Sequence, residues 1–400
     1  MSLIPSFLKS EKHPVHKRIQ TDQMTKLRLK YEPYYRVFED QKNSRVFNKG
    51  KELVMLASND YLGLSYHPKV IEAGKAALEQ WGTSTTGARV CNGSRTYHED
   101  LEEALAEFLG KEACHVHSAG YLSCTSAIQP FANRGDVIFV DKNVHSSLWS
   151  GIMLSGARYE KFAHNNPSDL EETLSYEKPE TAKFLVYEGV YSMEGHRAPV
   201  DTFTDIAQRH QIFSILDDAH GFGVMGPGGR GTAHHFGVSD DVDILCGSFS
   251  KSLSSIGGFV AGTRASIEYL RTHSKQTLFS AALSPVHAAC ALASLEILKS
   301  DPEPLERLWE NTRWYRGLLE DLELDTWGSV SPAIPVVIGS KERAYFFERA
   351  LFDNGVFALL TIAPAVPPGK DLIRTSMSAR HTDDDRRIIE KAFRAAKKKL

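Results

Sequence analysis

The chain has 400 residues, of which 42% are hydrophobic and 24% are charged, an ordinary balance for a globular enzyme. Its 47 Lys and Arg residues nearly balance 50 Asp and Glu residues, and the net charge of −3 argues against nucleic acid as a partner. No stretch approaches 18 uninterrupted apolar residues, so we expect no membrane span. The five cysteines are scattered without a Cys-x-x-Cys pair, which argues against a zinc site and against a disulfide framework.

Residues 1–52 form the first predicted unit, an N-terminal helical segment. The first thirty positions are basic, and we expect this segment to pack on the body of the protein or on a second subunit. The alternative is a weak membrane-surface contact, which would make the protein peripheral to the inner membrane. We favour packing, because few large apolar residues share a helical face. The N-terminus lacks the apolar core of a signal peptide, which together with the scattered cysteines predicts a cytoplasmic protein.

Residues 53–290 are predicted to form a large α/β domain. Helical spacing of apolar residues predicts helices over 68–81 and 99–109. Short apolar runs predict strands at Leu53–Ala57, Val137–Val140, Lys183–Tyr187, Ile212–Leu216 and Asp243–Cys246. Because these runs are continuous rather than alternating, the strands are expected to be buried on both faces, in a mostly parallel sheet covered by helices.

Residues 291–400 are predicted to form a smaller C-terminal α+β domain. Apolar runs predict strands at 333–338 and 372–377, and helical spacing predicts helices at 341–354 and 383–399.

Chemically active side chains follow the predicted strands of the large domain at the points where the strands end. The candidate residues there are Ser118, Gly120, Tyr121, His145, Glu188, Ser192, Asp217, His220 and Lys251. Because ligands of open α/β sheets bind at the carboxyl ends of the strands, we expect these residues to share one rim.

Lys251 is the most informative of these residues, since it lies in Gly247-Ser248-Phe249-Ser250-Lys251-Ser252. A lysine after a strand can form a Schiff base with an aldehyde, and the hydroxyls of Ser248 and Ser250 can hold a phosphate. Asp217 can hold a protonated pyridine nitrogen. These are the groups that pyridoxal 5′-phosphate (PLP) requires. Taken singly, Ser-Lys-Ser is typical of a solvated loop and Asp217 of a helix N-cap; their order along the chain favours the cofactor site.

Further residues are assigned roles around this cofactor. His145 is expected to stack on the ring and move protons, and His220 to bond to the ring's 3-oxygen, against the alternative of structural histidines. Gly120 and Tyr121 are predicted to present backbone amides to the phosphate. Arg374 is interpreted as a receptor for an amino-acid carboxylate, the alternative being a buried ion pair. Gly257-Gly258 is predicted to form a turn.

Six motifs resemble the α-oxoamine synthases, PLP enzymes of fold type I that condense an amino acid with an acyl thioester and release carbon dioxide. The motifs cover residues 59–64, 86–93, 188–195, 217–221, 226–231 and 248–252. The resemblance implies the catalytic and cofactor roles given above for Lys251, Asp217, His145 and His220. It also implies the fold of that class, with a mostly parallel central sheet of the seven-stranded type. A homodimer whose Ser280 reaches the partner's phosphate site is implied as well, with substrate contacts for Asn59, Asp60 and Arg374.

The substrates are left open within this resemblance. The loop around Lys251 is most similar to bacterial serine palmitoyltransferase, which implies L-serine and a long-chain thioester of CoA or acyl carrier protein. Glycine C-acetyltransferase and 8-amino-7-oxononanoate synthase are alternatives, and an aminotransferase is the alternative from another class. Some serine palmitoyltransferases and 8-amino-7-oxononanoate synthase carry an arginine where Ile362 and Ala363 stand, so this chain departs from a receptor for a dicarboxylic acyl group.

Overall fold

A computed structural model describes residues 31–400. One sheet joins the first three strands of the described residues to a strand from near the C-terminus. Its order is β1 (Asp40–Lys42), β2 (Arg45–Asn48), β3 (Lys51–Met55) and β12 (Val356–Phe357). The helix predicted to run to residue 52 is therefore absent over residues 40–48, and residues 1–30 lie outside the described part. The reason for the error is local: Val46 is buried, and Arg45 forms ion pairs with Asp384 and Asp385, so this short antiparallel pair is fixed by tertiary contacts.

A seven-stranded sheet forms the centre of the large domain, as predicted. Its strand order is β4-β10-β9-β8-β7-β5-β6. Strand β10 runs in the direction opposite to the other six, so it pairs antiparallel with both β4 and β9. Its strands are β4 (Ala113–His117), β5 (Val137–Asp141), β6 (Arg158–Phe162), β7 (Lys183–Glu188), β8 (Phe213–Asp217), β9 (Ile244–Ser248) and β10 (Gly258–Gly262).

Strand β10 corrects the prediction of a turn at Gly257-Gly258, because Gly258 begins the strand. A Cβ atom on Gly258 would lie 2.4 Å from the carbonyl oxygen of Gly247 and 2.7 Å from the Cα of Gly120. Glycine is needed here for close packing between backbones rather than for a change of direction.

Helices cover both faces of this sheet, and its strands are buried except the edge strand β6, which is mostly exposed. The longest are Pro68–Trp81, Thr96–Leu109, Pro285–Ser300 and Glu303–Asp321; shorter ones are Gly120–Ser126, Ser146–Ser155, Pro167–Leu174, Val200–Arg209, Thr232–Phe236, Arg264–His273 and Lys275–Leu278. No helix within residues 31–400 is both long and apolar enough to cross a membrane.

The C-terminal domain adds an antiparallel sheet of three strands in the order β11-β14-β13, and two helices. The strands are β11 (Ala333–Val337), β13 (Leu359–Thr361) and β14 (Leu372–Ser376), and the helices are Lys341–Asp353 and Asp383–Lys397. The backbone N–H of Ser376 donates to the carbonyl of Leu56 at 2.7 Å, which joins the end of β14 to the chain leaving β3. This joint sets Arg374 against the rim of the large sheet.

Candidate active site

A cavity of about 460 Å³ lies at the carboxyl ends of the central strands. Eleven of the residues predicted for the site line it: Asn59, Gly120, Tyr121, His145, Ser192, Asp217, His220, Ser248, Ser250, Lys251 and Arg374. The convergence follows from the parallel strands, whose ends meet at one edge of the sheet.

Lys251 enters the cavity from the loop that follows β9. Beside it, the hydroxyls of Ser248 and Ser250 lie 2.8 Å apart, and Gly120 begins the facing helix. A Cβ atom on Gly120 would lie 2.5 Å from Ser248 Oγ, so glycine keeps this corner open. First-turn N–H groups lack partners within their own helix. The hydroxyls and the free N–H groups of this corner fit the phosphate of PLP, and the neighbouring amine of Lys251 fits its aldehyde.

Asp217 ends β8 and is 3% exposed. Its Oδ1 accepts the N–H of Ala219 at 3.0 Å, and its Oδ2 accepts the thiol of Cys124 at 3.1 Å. Both donors are neutral, so a cation in the cavity is required to balance a buried carboxylate. A pyridine nitrogen that carries a proton meets this requirement.

Asp218 faces away from the cavity, although it is the next residue. Its two carboxylate oxygens accept the N–H and the hydroxyl of Thr232 at 2.7 and 2.8 Å. Burial raises the pKa of Asp218 to about 7. Of the two adjacent acids, Asp217 therefore faces the cavity, whereas Asp218 binds the first residue of the helix that begins at Thr232.

His220 is buried and neutral. Its Nδ1 lies 2.8 Å from the hydroxyl of Tyr61, and burial, with Lys251 and Arg374 nearby, holds its pKa well below the ordinary range. Burial raises the pKa of Tyr61, so its hydroxyl keeps its proton, and we assign that hydroxyl as the donor to His220 Nδ1. The proton of His220 is then on Nε2, available to an oxygen in the cavity.

His145 caps the helix Ser146–Ser155 and presents its other nitrogen to the cavity. Its Nδ1 accepts the N–H of Ser147 at 3.3 Å and lies 2.7 Å from the hydroxyl of Ser147, which places the ring proton on Nε2. Enclosure lowers the pKa of His145, so the neutral ring is favoured. Tyr121 packs edge-on at 6.5 Å between ring centres.

Glu188 lines the cavity, as its place after a predicted strand indicates, although the sequence assigned it no role. It ends β7, and its Oε1 accepts the backbone N–H of His145 at 2.5 Å. Burial and the nearby Asp217 raise the pKa of Glu188 well above its ordinary value. Its position after a strand indicates that it lies at the rim of the sheet. The sequence does not show that its carboxyl binds the backbone of His145.

Arg374 lies in the middle of β14 and is 4% exposed. Its guanidinium donates to three neutral oxygens: the carbonyl of Ser192 at 2.8 Å, Asn59 Oδ1 at 2.9 Å and Ser376 Oγ at 3.1 Å. These contacts orient the guanidinium, but none of the three partners carries a negative charge that would balance it. The arrangement favours an anion receptor over the alternative of a buried ion pair.

Three predicted residues lie outside the cavity wall. Asp60 accepts hydrogen bonds from Leu64 and Ser65 and from the hydroxyl of Ser254, three residues after Lys251. It thus fixes the lysine loop, and the substrate contact predicted for Asp60 stays a prediction. Ser118 and Ser280 lie together in an adjoining recess rather than in the cavity of this subunit.

Apolar side chains complete the wall. Ala57, Ile256, Met193 and Leu359 line the cavity beside the polar groups. They come from loops and from β13, and nothing in their spacing separates them from ordinary core residues.

Comparison with known proteins agrees with this geometry. The family model for aminotransferase class I and II matches residues 51–393. The serine palmitoyltransferase of Sphingobacterium spiritivorum is 39% identical over 365 residues, which are 91% of this chain and 92% of that protein. The 8-amino-7-oxononanoate synthase of Thermoanaerobacter pseudethanolicus is 37% identical over 365 residues, with coverage of 91% and 92%.

Solved structures share the fold over nearly the whole chain. The serine palmitoyltransferase of Sphingomonas wittichii superimposes with a TM-score of 0.93 at 32% identity, covering 97% of this chain and 98% of that one. A serine palmitoyltransferase structure that contains PLP gives the same values. The cofactor of this protein is PLP, and the chain belongs to the α-oxoamine synthases, PLP-dependent acyltransferases of fold type I within aminotransferase class I and II.

Proposed function

We propose that the protein condenses L-serine with a long-chain acyl thioester, with loss of carbon dioxide, to give 3-oxosphinganine for sphingolipid synthesis. The observation that carries the amino-acid part is Arg374, a buried guanidinium with neutral partners on the wall opposite the lysine loop. The similarity to the serine palmitoyltransferases of Sphingobacterium spiritivorum and, at 37% identity, Bacteriovorax stolpii supports the choice of substrates.

The residues of the cavity divide the work. When bound, PLP draws electrons from the α-carbon of the amino acid attached to it. Arg374 and Asn59 hold the substrate carboxylate, and Asp217 keeps the proton on the ring nitrogen. Lys251 Nζ removes and returns the α-proton. His145 Nε2–H donates to the thioester carbonyl oxygen, where negative charge develops, and His220 Nε2–H bonds to the ring's 3-oxygen.

The choice of a long-chain acyl donor is supported by the apolar wall of the cavity. Ile256, Met193 and Leu359 offer no charge to an acyl chain, and Ile362 and Ala363 stand where some relatives have an arginine. This arrangement favours a neutral chain over one that ends in a carboxylate. A carboxylate buried against such a wall would lack a partner.

The second candidate is 8-amino-7-oxononanoate synthase activity. It is favoured by the 37% identity to the Thermoanaerobacter pseudethanolicus enzyme, at the same coverage as the first relative. The two candidates differ in both substrates, so both can be tested separately.

Substrate preference is measured in two steps on the purified PLP-loaded protein. Titration with L-serine, glycine and L-alanine, followed by the cofactor's absorption, gives the dissociation constant of each amino acid. Thiol release from acetyl, pimeloyl and palmitoyl thioesters then gives kcat/KM with the preferred amino acid. L-Serine with palmitoyl thioester is the expected pair. L-Alanine with pimeloyl thioester would replace the proposal by the second candidate, and glycine with acetyl-CoA would indicate the acetyltransferase.

A further inference from the structure

A chain of hydrogen bonds outside the cavity joins the two domains. Asp141, at the end of β5, lies 3.1 Å from Nδ1 of His164, and Nε2 of His164 lies 2.9 Å from Nδ1 of His196. Nε2 of His196 then donates to the carbonyl oxygen of Trp327 at 2.5 Å. Trp327 belongs to the connection between the helix Glu303–Asp321 and β11.

Both ends of this chain are acceptors, which fixes the number of protons in it. A carboxylate and a carbonyl oxygen cannot donate, so each of the three links needs an N–H from an imidazole. Two neutral imidazoles carry only two N–H groups. The complete chain therefore contains one proton more than two neutral histidines supply.

The geometry assigns this additional proton to His164. The proton could instead reside on the carboxyl of Asp141, but the oxygens of Asp141 also accept the backbone N–H groups of Asn143 and Asn165, both at 2.8 Å. Such donors favour the ionised carboxylate. His196 is the neutral member, since its Nδ1 must accept from His164.

Four titratable groups face His164 from the surrounding elements: Asp141, His196, Tyr191 and Glu194. The Tyr191 ring is edge-on at 4.4 Å between ring centres. Glu194 accepts a hydrogen bond from the Asn143 side chain at 2.8 Å, and its charge interacts with His164 and His196. Asp141 is the acid in direct contact and is fully buried.

The chain passes through His196, which belongs to the segment that orients Arg374. Residues 189–198 form a hairpin that is closed by the N–H of Tyr191 donating to the carbonyl of His196 at 2.9 Å. The tip of this hairpin contributes the carbonyl of Ser192, which accepts from Arg374 Nε at 2.8 Å. It also contributes the carbonyl of Gly195, which accepts from Val330 of the C-terminal domain at 3.0 Å.

We infer that His164 is a positively charged positioning residue, and that the chain Asp141–His164–His196–Trp327 holds the hairpin 189–198 so that Ser192 keeps Arg374 ready for the substrate carboxylate. Loss of the proton leaves two acceptors facing each other at one of the three links. The hairpin then loses its anchor to Asp141 or to Trp327, and amino-acid binding weakens. The consequence for binding rests on the proposed function, whereas the charge on His164 does not.

The charge is tested by nuclear magnetic resonance of PLP-loaded protein labelled with ¹⁵N in its histidine rings. At pH 7.5 an unpaired histidine is mostly neutral, since its pKa is about 6.5. The resonances that disappear in His164→Gln should be those of a ring with both nitrogens protonated. A neutral ring at that position would overturn the inference, whatever the substrate is.

The positioning role is tested by amino-acid titration of His164→Gln and His196→Gln. Both variants should bind L-serine roughly tenfold more weakly, the size expected for losing a hydrogen bond to a charged group, with a smaller change in kcat. His210→Gln, at an exposed position after the helix Val200–Arg209, is the matched control and should bind as the unmodified protein does. With thermal melting confirming that a variant is folded, a change of less than about twofold would contradict the positioning role.

If no amino acid changes the cofactor spectrum of the unmodified protein, the proposed function fails, while the resonance measurement still decides the charge.

Discussion

Lys251 is the residue on which the proposed chemistry depends. We expect Lys251→Ala to lose the violet absorption of lysine-bound PLP and all measurable turnover, because no other lysine lines the cavity in the described part of the chain. Lys75→Ala, on the exposed face of the helix Pro68–Trp81, is the control and should keep both. Full activity of Lys251→Ala would show that the assignment is wrong.

The adjacent acids Asp217 and Asp218 should respond in opposite ways. Asp217→Asn removes the charge that holds the ring proton, so turnover should fall by about 10²-fold or more while the fold survives. Asp218→Asn should act mainly on stability, because its oxygens serve Thr232 and not the cavity. Cofactor titration and thermal melting of the two variants measure these effects.

The pH dependence of stability distinguishes Asp218 further. The pKa of Asp218 is about 7 in the folded protein, against an ordinary value of 3.8, so the folded state binds the additional proton between these values. Asp218 therefore favours folding at low pH, and this contribution is lost as pH rises from about 4 to 7. Against Asp218→Asn, the unmodified protein should lose relative stability over that window, by on the order of 2–4 kcal/mol. A difference that is independent of pH would contradict this interpretation.

Among the elements, strand β10 lies so close to the backbone of Gly247 and Gly120 that its packing affects the cofactor site. Gly258→Ala would press a Cβ atom onto the carbonyl of Gly247 and the Cα of Gly120, both rigid backbone atoms. We expect a loss of about 1–3 kcal/mol in unfolding free energy and weaker PLP binding, since Gly120 begins the phosphate corner. Gly317→Ala, in the helix Glu303–Asp321 with no atom within 4 Å of its added Cβ, should be neutral or slightly stabilising. Chemical denaturation compares the two, and equal stabilities would refute the packing argument.

Elements were predictable from the sequence where burial alone determines them. The continuous apolar runs of β5, β7, β8 and β9 predict buried parallel strands, and the structure has them. Edge strand β6 was missed because its sequence, Arg158–Phe162, is mostly polar and exposed. Strand β4 was missed because two histidines, His115 and His117, interrupt its apolar pattern.

The site was predictable to the extent that residues act directly. Lys251, Asp217, His145 and Arg374 carry groups whose chemistry is recognisable, and the sheet brings them together. Glu188 acts through the backbone of His145, and Asp60 through the loop after Lys251. Such indirect roles depend on tertiary contacts, and no residue pattern reveals them.

At the scale of the whole molecule, we predict a homodimer. Ser280 lies in a recess that adjoins the cavity rather than in the cavity itself, and its neighbour Phe279 is 83% exposed, an unusual position for a large apolar side chain. Sedimentation should give twice the chain mass of 44.5 kDa. Phe279→Glu should weaken both the dimer and PLP binding, whereas Tyr176→Glu, at a site that is 77% exposed, should change neither. A fully active monomer would contradict this prediction.

The sheet that pairs β3 with β12 determines the order in which the molecule can be built during synthesis. Val54 aligns with Val356, so one edge of β3 lacks its partner until about 300 further residues have left the ribosome. The central sheet, whose strands all lie between Ala113 and Gly262, can form in that interval. Because β14 carries Arg374 and comes after β12, the carboxylate receptor is among the last parts to be added. A nascent chain can therefore assemble its cofactor corner before it can hold a substrate.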